Sequence, residues 1–288
     1  MQQIIAGVDI GGTHVTVCLM DISKGELLSS TMVRTYIEPT LAKEEIIQLW
    51  ADAIRESYSK AGIPVGCIGI AMPGPFDYEK GISYIRGLHK YEHLYGENVK
   101  DLLSTELGKM SSEILMMNDA SAFLLGELSC GVGVGFHNMV GITLGTGLGS
   151  ASFFNGKMHD EDLWNMPYKE GRAEDLISAR WLMATYEKVT KEKVSGVKVI
   201  ADRFDFDKNA KKIFYEFGKN FGEVLVTKFY DQSPELIIIG GNIAKAWECF
   251  IPAVRDVFVD KGVSFLLKSA KLGEEAALIG GSYLWKRG

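Results

Sequence analysis

The chain contains no run of about eighteen apolar residues, which excludes a membrane-spanning helix. It has no excess of positive charge. Its 31 Lys and Arg against 37 Asp and Glu give a net charge of −6, which argues against general binding to nucleic acid or anionic membranes. It has few cysteines: Cys18, Cys67, Cys130 and Cys249 are scattered and form no C-x-x-C pair. They read as reduced, small hydrophobes of a cytoplasmic protein, and no cysteine-based metal site is expected. The first residues lack a basic segment followed by an apolar stretch, so no signal peptide is expected. What is present, in 288 residues at 47% hydrophobic and 24% charged, suits one large or two medium globular domains with real cores.

Residues 4–10, 15–20 and 27–33 read as the three strands of a meander. Thr40 is placed to cap the next helix, in which Ile46, Ile47, Trp50, Ile54 and Tyr58 share one face before Gly62-Ile63-Pro64 stops it. Residues 67–71 form a short buried strand ending in Pro73-Gly74-Pro75, and 114–117 another that runs into Asn118-Asp119 and a helix. The pattern then restarts. Residues 140–144 and 150–154 are strands, 157–168 read as a loop, and 172–230 are dominated by helical periodicity. A fully apolar strand, 236–239, closes in Gly240-Gly241-Asn242, and a terminal helix begins near Glu274. The order β-β-β-α-β-α, seen twice, predicts a duplicated α/β architecture.

Two segments carry the same local chemistry. Gly7-Val8-Asp9-Ile10-Gly11-Gly12-Thr13 recurs, altered, as Gly141-Ile142-Thr143-Leu144-Gly145-Thr146-Gly147. Glycine lets a backbone approach phosphate oxygens without a Cβ in the way, and the exposed N–H groups of such a turn form an anion nest to which a Thr hydroxyl adds a donor. One such turn alone is equally a tight hairpin, but two with similar flanks point to a polyphosphate. Neither is a Walker A loop, because no G-K-[ST] follows, and neither is a dinucleotide fingerprint, because a strand comes next rather than a helix. Asp9, at a strand end, is placed to hold a hydrated Mg²⁺ that bridges phosphates. Asn118 can serve simply as an N-cap with Asp119 in the first turn. Alternatively, between two phosphate turns, Asp119 can take the proton from a hydroxyl attacking a γ-phosphate. Gly240-Gly241-Asn242 can join strand to helix or leave a flat surface for a nucleoside.

These segments resemble those of the ROK family of sugar kinases, within the actin/hexokinase-like ATPase superfamily, over nearly the whole chain. Residues 9–13 are similar to the first phosphate motif, 68–75 to the strand and turn of the sugar site, and Asn118 to Ala122 with Gly126-Glu127 to the catalytic motif. Residues 144–149 are similar to the second phosphate motif and 234–242 to the adenosine motif. The resemblance implies duplicated ribonuclease-H-like lobes with mixed sheets and a cleft between them. The small lobe would span 1–117 with a C-terminal helix from 274–288, and the large lobe 118–273. It implies a cytoplasmic, homodimeric, ATP- and Mg²⁺-dependent kinase that phosphorylates a glucose-like hexose or amino sugar at its 6-hydroxyl, with Asp119 as base. ATP would contact Asp9, Gly11, Gly12, Thr13, His14, Gly145, Thr146, Gly147, Gly240, Gly241 and Asn242. Sugar would contact Gly74, Asn118, Asp119, Asp162, Asn165 and Glu174.

The departures are concentrated in one place. The family pattern of Glu-x-Gly-His, a Cys-rich zinc segment and a later Glu is replaced here by Asp162-Leu163-Trp164-Asn165-Met166-Pro167, which runs on to Glu174. No zinc is expected, and Asn165 stands where the family has a His that serves both zinc and sugar. Asp162 and Glu174 are otherwise a loop carboxylate and an exposed helix charge. His14 stands where an Asn is common. Sugar-sensing repressors and non-catalytic sugar-binding proteins are the rival readings. The first needs a DNA-binding segment for which the residues before Asp9 leave no room, and the second fits poorly with Asp119 and both glycine turns.

Overall fold

The computed structural model describes residues 3–38, 40–87 and 90–286. The chain divides into two compact units, Met1–Val134 with Glu274–Gly288, and Gly135–Gly273.

In the first unit the order is β1 (Ile4–Ile10), β2 (His14–Asp21), β3 (Glu26–Leu27), β4 (Val33–Tyr36), α1 (Lys43–Lys60) and β5 (Ile68–Met72). A small hairpin follows, β6 (Phe76–Asp77) and β7 (Ile82–Ser83), then α2 (Val99–Leu107), β8 (Ile114–Asn118) and α3 (Asp119–Cys130). The main sheet has the order β3-β2-β1-β5-β8, with β4 also paired to β2. β1 is antiparallel to β2 and parallel to β5, which is parallel to β8. Every residue of β5 is buried, as a central parallel strand requires when both of its faces are covered.

Two local expectations are revised. The expected strand 27–33 breaks at a 3-10 turn, Ser29–Thr31. The buried Thr31 hydroxyl accepts from the Leu19 N–H at 2.9 Å and donates to the Leu28 carbonyl at 2.7 Å, which turns the chain before β4 can start. α1 starts from Ala42, not Thr40. The Glu45 carboxylate folds back to accept the Ala42 N–H at 3.2 Å, while the Thr40 hydroxyl bonds Glu38 at 3.1 Å.

The second unit repeats the plan: β9 (Met139–Leu144), β10 (Leu148–Phe154), β11 (Lys157–Asp160), then a hairpin of β12 (Pro167–Tyr168) and β13 (Gly171–Arg172). Four helices follow, α4 (Ala173–Leu176), α5 (Ala179–Thr190), α6 (Val197–Ala201) and α7 (Lys208–Phe229), then β14 (Leu236–Gly240), α8 (Trp247–Lys261) and β15 (Leu267–Ser269). Its sheet, β11-β10-β9-β14-β15, has the same topology as β3-β2-β1-β5-β8. The duplicated α/β reading therefore holds at the level of strand order. Residues 157–160, expected in a loop, are instead the edge strand β11, with Ala151 opposite Asp160 and Phe154 opposite Lys157. Phe214, Phe217, Phe221 and Phe250 of α7 and α8 fill the core beneath this sheet.

The final helix, α9 (Glu275–Tyr283), belongs to the first unit, and so does α3. The division therefore falls after Val134 rather than after residue 117. The physical reason is the packing of α3 on α9. A Cβ on Gly126 would strike the Ala276 backbone, and one on Gly280 would strike that of Ala122. Two helices this close behave as one layer, which fixes α3 to the first unit. Residues 287 and 288 of the expected C-terminal helix lie outside the described residues.

Candidate active site

In the first unit three adjacent parallel strands, β1, β5 and β8, end together, and the segments singled out in the sequence follow their carboxyl ends. Asp9 lies opposite Ala71, and Met72 opposite Asn118. Gly11–Thr13, Gly74 and Asp119 therefore lie within the first few residues past the strands β1, β5 and β8, which is where open α/β sheets bind ligands. The chain turns from β1 into β2 with the Gly11 N–H donating to the His14 carbonyl at 2.9 Å. The Thr13 hydroxyl and His14 Nδ1 are 2.9 Å apart. Gly12 is exposed, its φ is not left-handed, and a Cβ there would meet nothing within 4 Å. Neither backbone conformation nor packing demands glycine at 12.

Asp119 opens α3. The Asn118 side chain caps this helix by accepting the N–H groups of Ala120 at 2.8 Å and Ser121 at 3.2 Å. Its amide also donates to the Tyr78 hydroxyl at 3.2 Å, and Tyr78 in turn donates to the Met72 carbonyl at 2.9 Å. Tyr78 also lies 3.1 Å from where a Gly74 Cβ would sit. Asn118 thus does the structural job foreseen for it. Asp119 Oδ1 accepts the Ala120 N–H at 2.9 Å. The carboxyl remains half-buried and reachable, yet the protein around it removes enough water to hold its pKa above the ordinary carboxylate value. The Lys90 ammonium and the backbone N–H groups of Ala120 and Asp119 oppose that rise.

Asp9 is pushed up to about 7, first by burial and next by the charge of Asp119, with Arg34 lowering it and Glu274 raising it. Arg34 is itself ion-paired to Glu274 at 2.9 Å. Two carboxyls with raised pKa values side by side are a poor arrangement for stability and a good one for acid–base work or for a cation.

Sequence reasoning missed the residues that anchor this site from a distance. The Tyr91 hydroxyl donates to the Gly11 carbonyl at 2.6 Å, from a fully buried ring set edge-on to Trp50 at 5.4 Å. Tyr91 has a left-handed φ of 52°. Lys90 and Tyr91 are adjacent in sequence, and they act on Asp119 and Gly11 respectively. A contact spanning eighty residues leaves no trace in local periodicity, so only the unexplained aromatic residue beside a lysine could have signalled it.

In the second unit β9 and β14 are parallel neighbours, with Gly240 opposite Thr143. The turn Gly145–Gly147 and the turn Gly240–Asn242 thus lie at the ends of adjacent strands. Leu144 pairs Leu148, whereas Ile10 pairs Val15, so this turn is one residue tighter than the first. Gly145 repeats the property of Gly12: no left-handed φ and open space at its Cβ position. Gly241 is different, because its φ of +86° and the Leu144 backbone beside it both require glycine. Asn242 Oδ1 accepts from Lys245 at 2.9 Å.

Asp162 and Asn165, both exposed, stand at the two ends of a 3-10 turn, Leu163–Asn165, whose Leu163 is buried, with the Asn165 N–H on the Asp162 carbonyl at 3.0 Å. Asp162 Oδ1 accepts the Trp164 indole N–H at 3.0 Å, and the Trp164 ring lies under the Arg172 guanidinium at 5.7 Å. The hairpin that follows is fastened to α7. Tyr168 donates to Glu223 at 2.6 Å, its hydroxyl oxygen also lying 3.2 Å from Asn220 Oδ1, and Lys169 donates to Asn220 at 2.6 Å. Glu174 is held by protein at both oxygens, Oε2 on the Leu148 N–H at 2.9 Å and Oε1 on Arg180 at 3.0 Å. Among the described residues no three His, Cys, Asp or Glu cluster as metal ligands, and no helix is long and apolar enough to cross a membrane.

Comparison with known proteins matches this geometry to one group. The model of the ROK family matches residues 5–161. The chain is 27% identical to a glucokinase of Thermotoga maritima, covering 98% of this chain and 97% of that one. It is 24% identical to an N-acetyl-D-glucosamine kinase of Mannheimia succiniciproducens, covering 97% and 98%. Its fold superposes with a TM-score of 0.78 on a ROK family glucokinase from Streptomyces griseus in complex with glucose and AMPPNP, at 22% identity and covering 99% and 100%. The duplicated mixed sheets, the glycine turns at their strand ends and the family match agree: the chain belongs to the ROK family, with the two-unit α/β fold of its sugar kinases.

Proposed function

We propose that this protein is an ATP-dependent sugar kinase that transfers the γ-phosphate of ATP to a hexose or amino-sugar hydroxyl, the 6-hydroxyl of a glucose-like sugar being the first candidate. The observation that carries this reading is the position of Asp119. It is a reachable carboxyl with a raised pKa, at the end of the parallel strand β8, in the same sheet as β1, which ends in a glycine turn where the fold itself does not require glycine at 12. Gly12 and Gly145 make sense if a ligand's oxygens approach the backbone there, and the exposed N–H groups of such turns favour phosphate. The T. maritima glucokinase, the M. succiniciproducens N-acetyl-D-glucosamine kinase and the S. griseus complex with glucose and AMPPNP support the same substrates for this chain.

Asp119 takes the proton of the attacking hydroxyl as the sugar oxygen bonds to the γ-phosphorus and the bond to the β-phosphate oxygen breaks, releasing ADP. A base with a raised pKa holds the transferred proton better. Lys90 offsets the cost of keeping Asp119 charged. Backbone N–H groups of Gly11–Thr13 and Gly145–Gly147, with His14 beside the first turn, are assigned to the phosphates, and Gly240–Asn242 to the nucleoside. Mg²⁺ suits Asp9, whose burial beside Asp119 and Glu274 leaves negative charge poorly compensated; one carboxylate plus phosphate oxygens and water is a common magnesium donor set. Such an ion, when bound with ATP, would neutralise charge on the phosphates. Gly74, Asn118, Asp162, Asn165 and Glu174 are assigned to the sugar side.

An ADP-release assay over a panel of hexoses and N-acetylhexosamines tests this. ADP formation that depends on one or more of these sugars is the expected result. No sugar-dependent turnover with ATP would overturn the reading.

A further inference from the structure

The segment between β11 and α4 carries Asp162 and Asn165 and has little structure of its own, a 3-10 turn and a short hairpin. It is nevertheless fastened at both ends, and both fastenings come from one side of α7. At its start, Lys228 pairs with the Glu161 carboxylate at 2.9 Å and donates to the Glu161 carbonyl at 3.2 Å. The other Glu161 oxygen accepts the Ser152 hydroxyl. At its end, the Tyr168 hydroxyl donates to Glu223 at 2.6 Å and the Lys169 ammonium to Asn220 at 2.6 Å.

Two residues of this segment are held in the left-handed region, Asp162 at φ 48° and Lys169 at φ 53°. Such backbone is uncommon outside glycine and persists where the surroundings impose it. For Asp162 the cause is visible. Glu161 before it is tied to Lys228, and Leu163 after it is fully buried with its N–H on the Ser150 hydroxyl at 3.0 Å. The chain between these two fixed points turns at Asp162 and enters the 3-10 turn that ends at Asn165. The fastening is also costly. Asn220 is 1% exposed, and its Nδ2 has no hydrogen-bond partner among the described residues. An unpaired buried amide destabilises a fold, and an apolar residue would serve the packing of α7 better. The amide makes sense as the hold on Lys169.

We infer that α7 clamps the sugar-side loop, with Lys228 and Tyr168 as positioning residues that hold Asp162 and Asn165 in one arrangement before the sugar arrives. The inference rests on the sugar-side reading of Asp162 and Asn165 for its effect on substrate, and on the geometry alone for the clamp. A loop already ordered binds more tightly than one that must be ordered on binding, so the clamp should act on sugar KM and leave kcat and ATP KM alone. Lys228→Met should raise sugar KM about tenfold. Lys228→Arg keeps a cation and donors for Glu161, so it should stay within about threefold of wild type. Tyr168→Phe loses only the bond to Glu223 and should raise sugar KM about threefold. Because the clamp works through the loop, Lys228→Met should add less than about twofold to a protein that already carries Asn165→Ala.

The experiment measures KM for D-glucose and for N-acetyl-D-glucosamine, with kcat and ATP KM, in these variants, beside thermal melts and amide hydrogen exchange of residues 162–166. The pattern above, with faster exchange at 162–166 in Lys228→Met, is the expected result. If Lys228→Met does not fold well enough to assay, Tyr168→Phe carries the test. Sugar KM unmoved in folded Lys228→Met and Tyr168→Phe, while Asn165→Ala raises it, would overturn the inference. So would effects of Lys228→Met and Asn165→Ala that multiply in full, because the two residues would then act independently. If Asn165→Ala and Asp162→Ala both left sugar KM unmoved, the loop would leave the sugar side and the inference would fall with that assignment. If the wild-type protein turned over no sugar, the kinase reading would fall, while hydrogen exchange in Lys228→Met would still decide whether α7 holds the loop.

Discussion

Tyr91→Phe isolates a single bond that joins the core to the phosphate turn. The ring is fully buried and packs edge-on against Trp50, and phenylalanine keeps both the volume and that contact. What goes is the hydroxyl that donates to the Gly11 carbonyl at 2.6 Å. A neutral hydrogen bond contributes a net ~0.5–1.5 kcal/mol. If all of it is expressed in binding, AMPPNP affinity falls roughly 2- to 13-fold. The half-buried Gly11 carbonyl can recruit water, which favours the lower part of that range. Calorimetric titration with AMPPNP, run beside urea unfolding and sugar KM, separates a turn held for phosphate from a tyrosine that merely fills the core. Weaker nucleotide binding with sugar KM unmoved is expected. A lowered urea midpoint with nucleotide affinity untouched would refute the reasoning, because the bond would then stabilise the fold without positioning the turn.

Three further outcomes follow from particular contacts. Gly280→Ala drives a Cβ into the Ala122 backbone where α9 meets α3, so overpacking of about 1–3 kcal/mol or more should lower Tm by roughly 2–4 °C per kcal/mol; an unchanged melt would deny the close approach. Asp9 is pushed up to about 7 from the ordinary 3.8, so between those values the folded protein holds a proton that the unfolded chain has released. Nucleotide-free protein should therefore lose stability as pH rises from about 4 to 7, and Asp9→Asn should flatten that slope; parallel slopes in thermal melts across this range would contradict it. Asn165→Ala, at the exposed end of the 3-10 turn, removes an amide that can pair with a sugar hydroxyl and should raise sugar KM about tenfold while sparing ATP; an unmoved sugar KM removes Asn165 from the site.

The duplicated strand order was legible because it is written in local chemistry: apolar runs broken by glycine turns, first at 11–13 and again at 145–147. The handover from β8 to α3 was equally local, since Asn118 followed by a helical pattern is a cap. What escaped depends on contacts far apart in sequence. The placement of α3 with the first unit follows from Gly126 and Gly280 letting it lie against α9, more than a hundred residues away. The start of α1 was misplaced because Glu45, rather than the hydroxyl of Thr40, serves the first turn. Lys90 and Tyr91 carry no motif of their own, and their meaning comes only from the residues they reach. The same holds for Glu174, whose carboxylate meets the Leu148 N–H by the path of the chain through α4.

The most direct test of the catalytic assignment is the turnover of Asp119→Asn on whichever sugar wild-type protein phosphorylates. Asparagine is nearly isosteric and keeps an oxygen for the Ala120 N–H, so the melting temperature and sugar affinity should change little. General-base catalysis contributes typically about 10²–10⁴-fold, and kcat should fall by that order. A folded Asp119→Asn protein with near-normal kcat would contradict the assignment of Asp119 as the base.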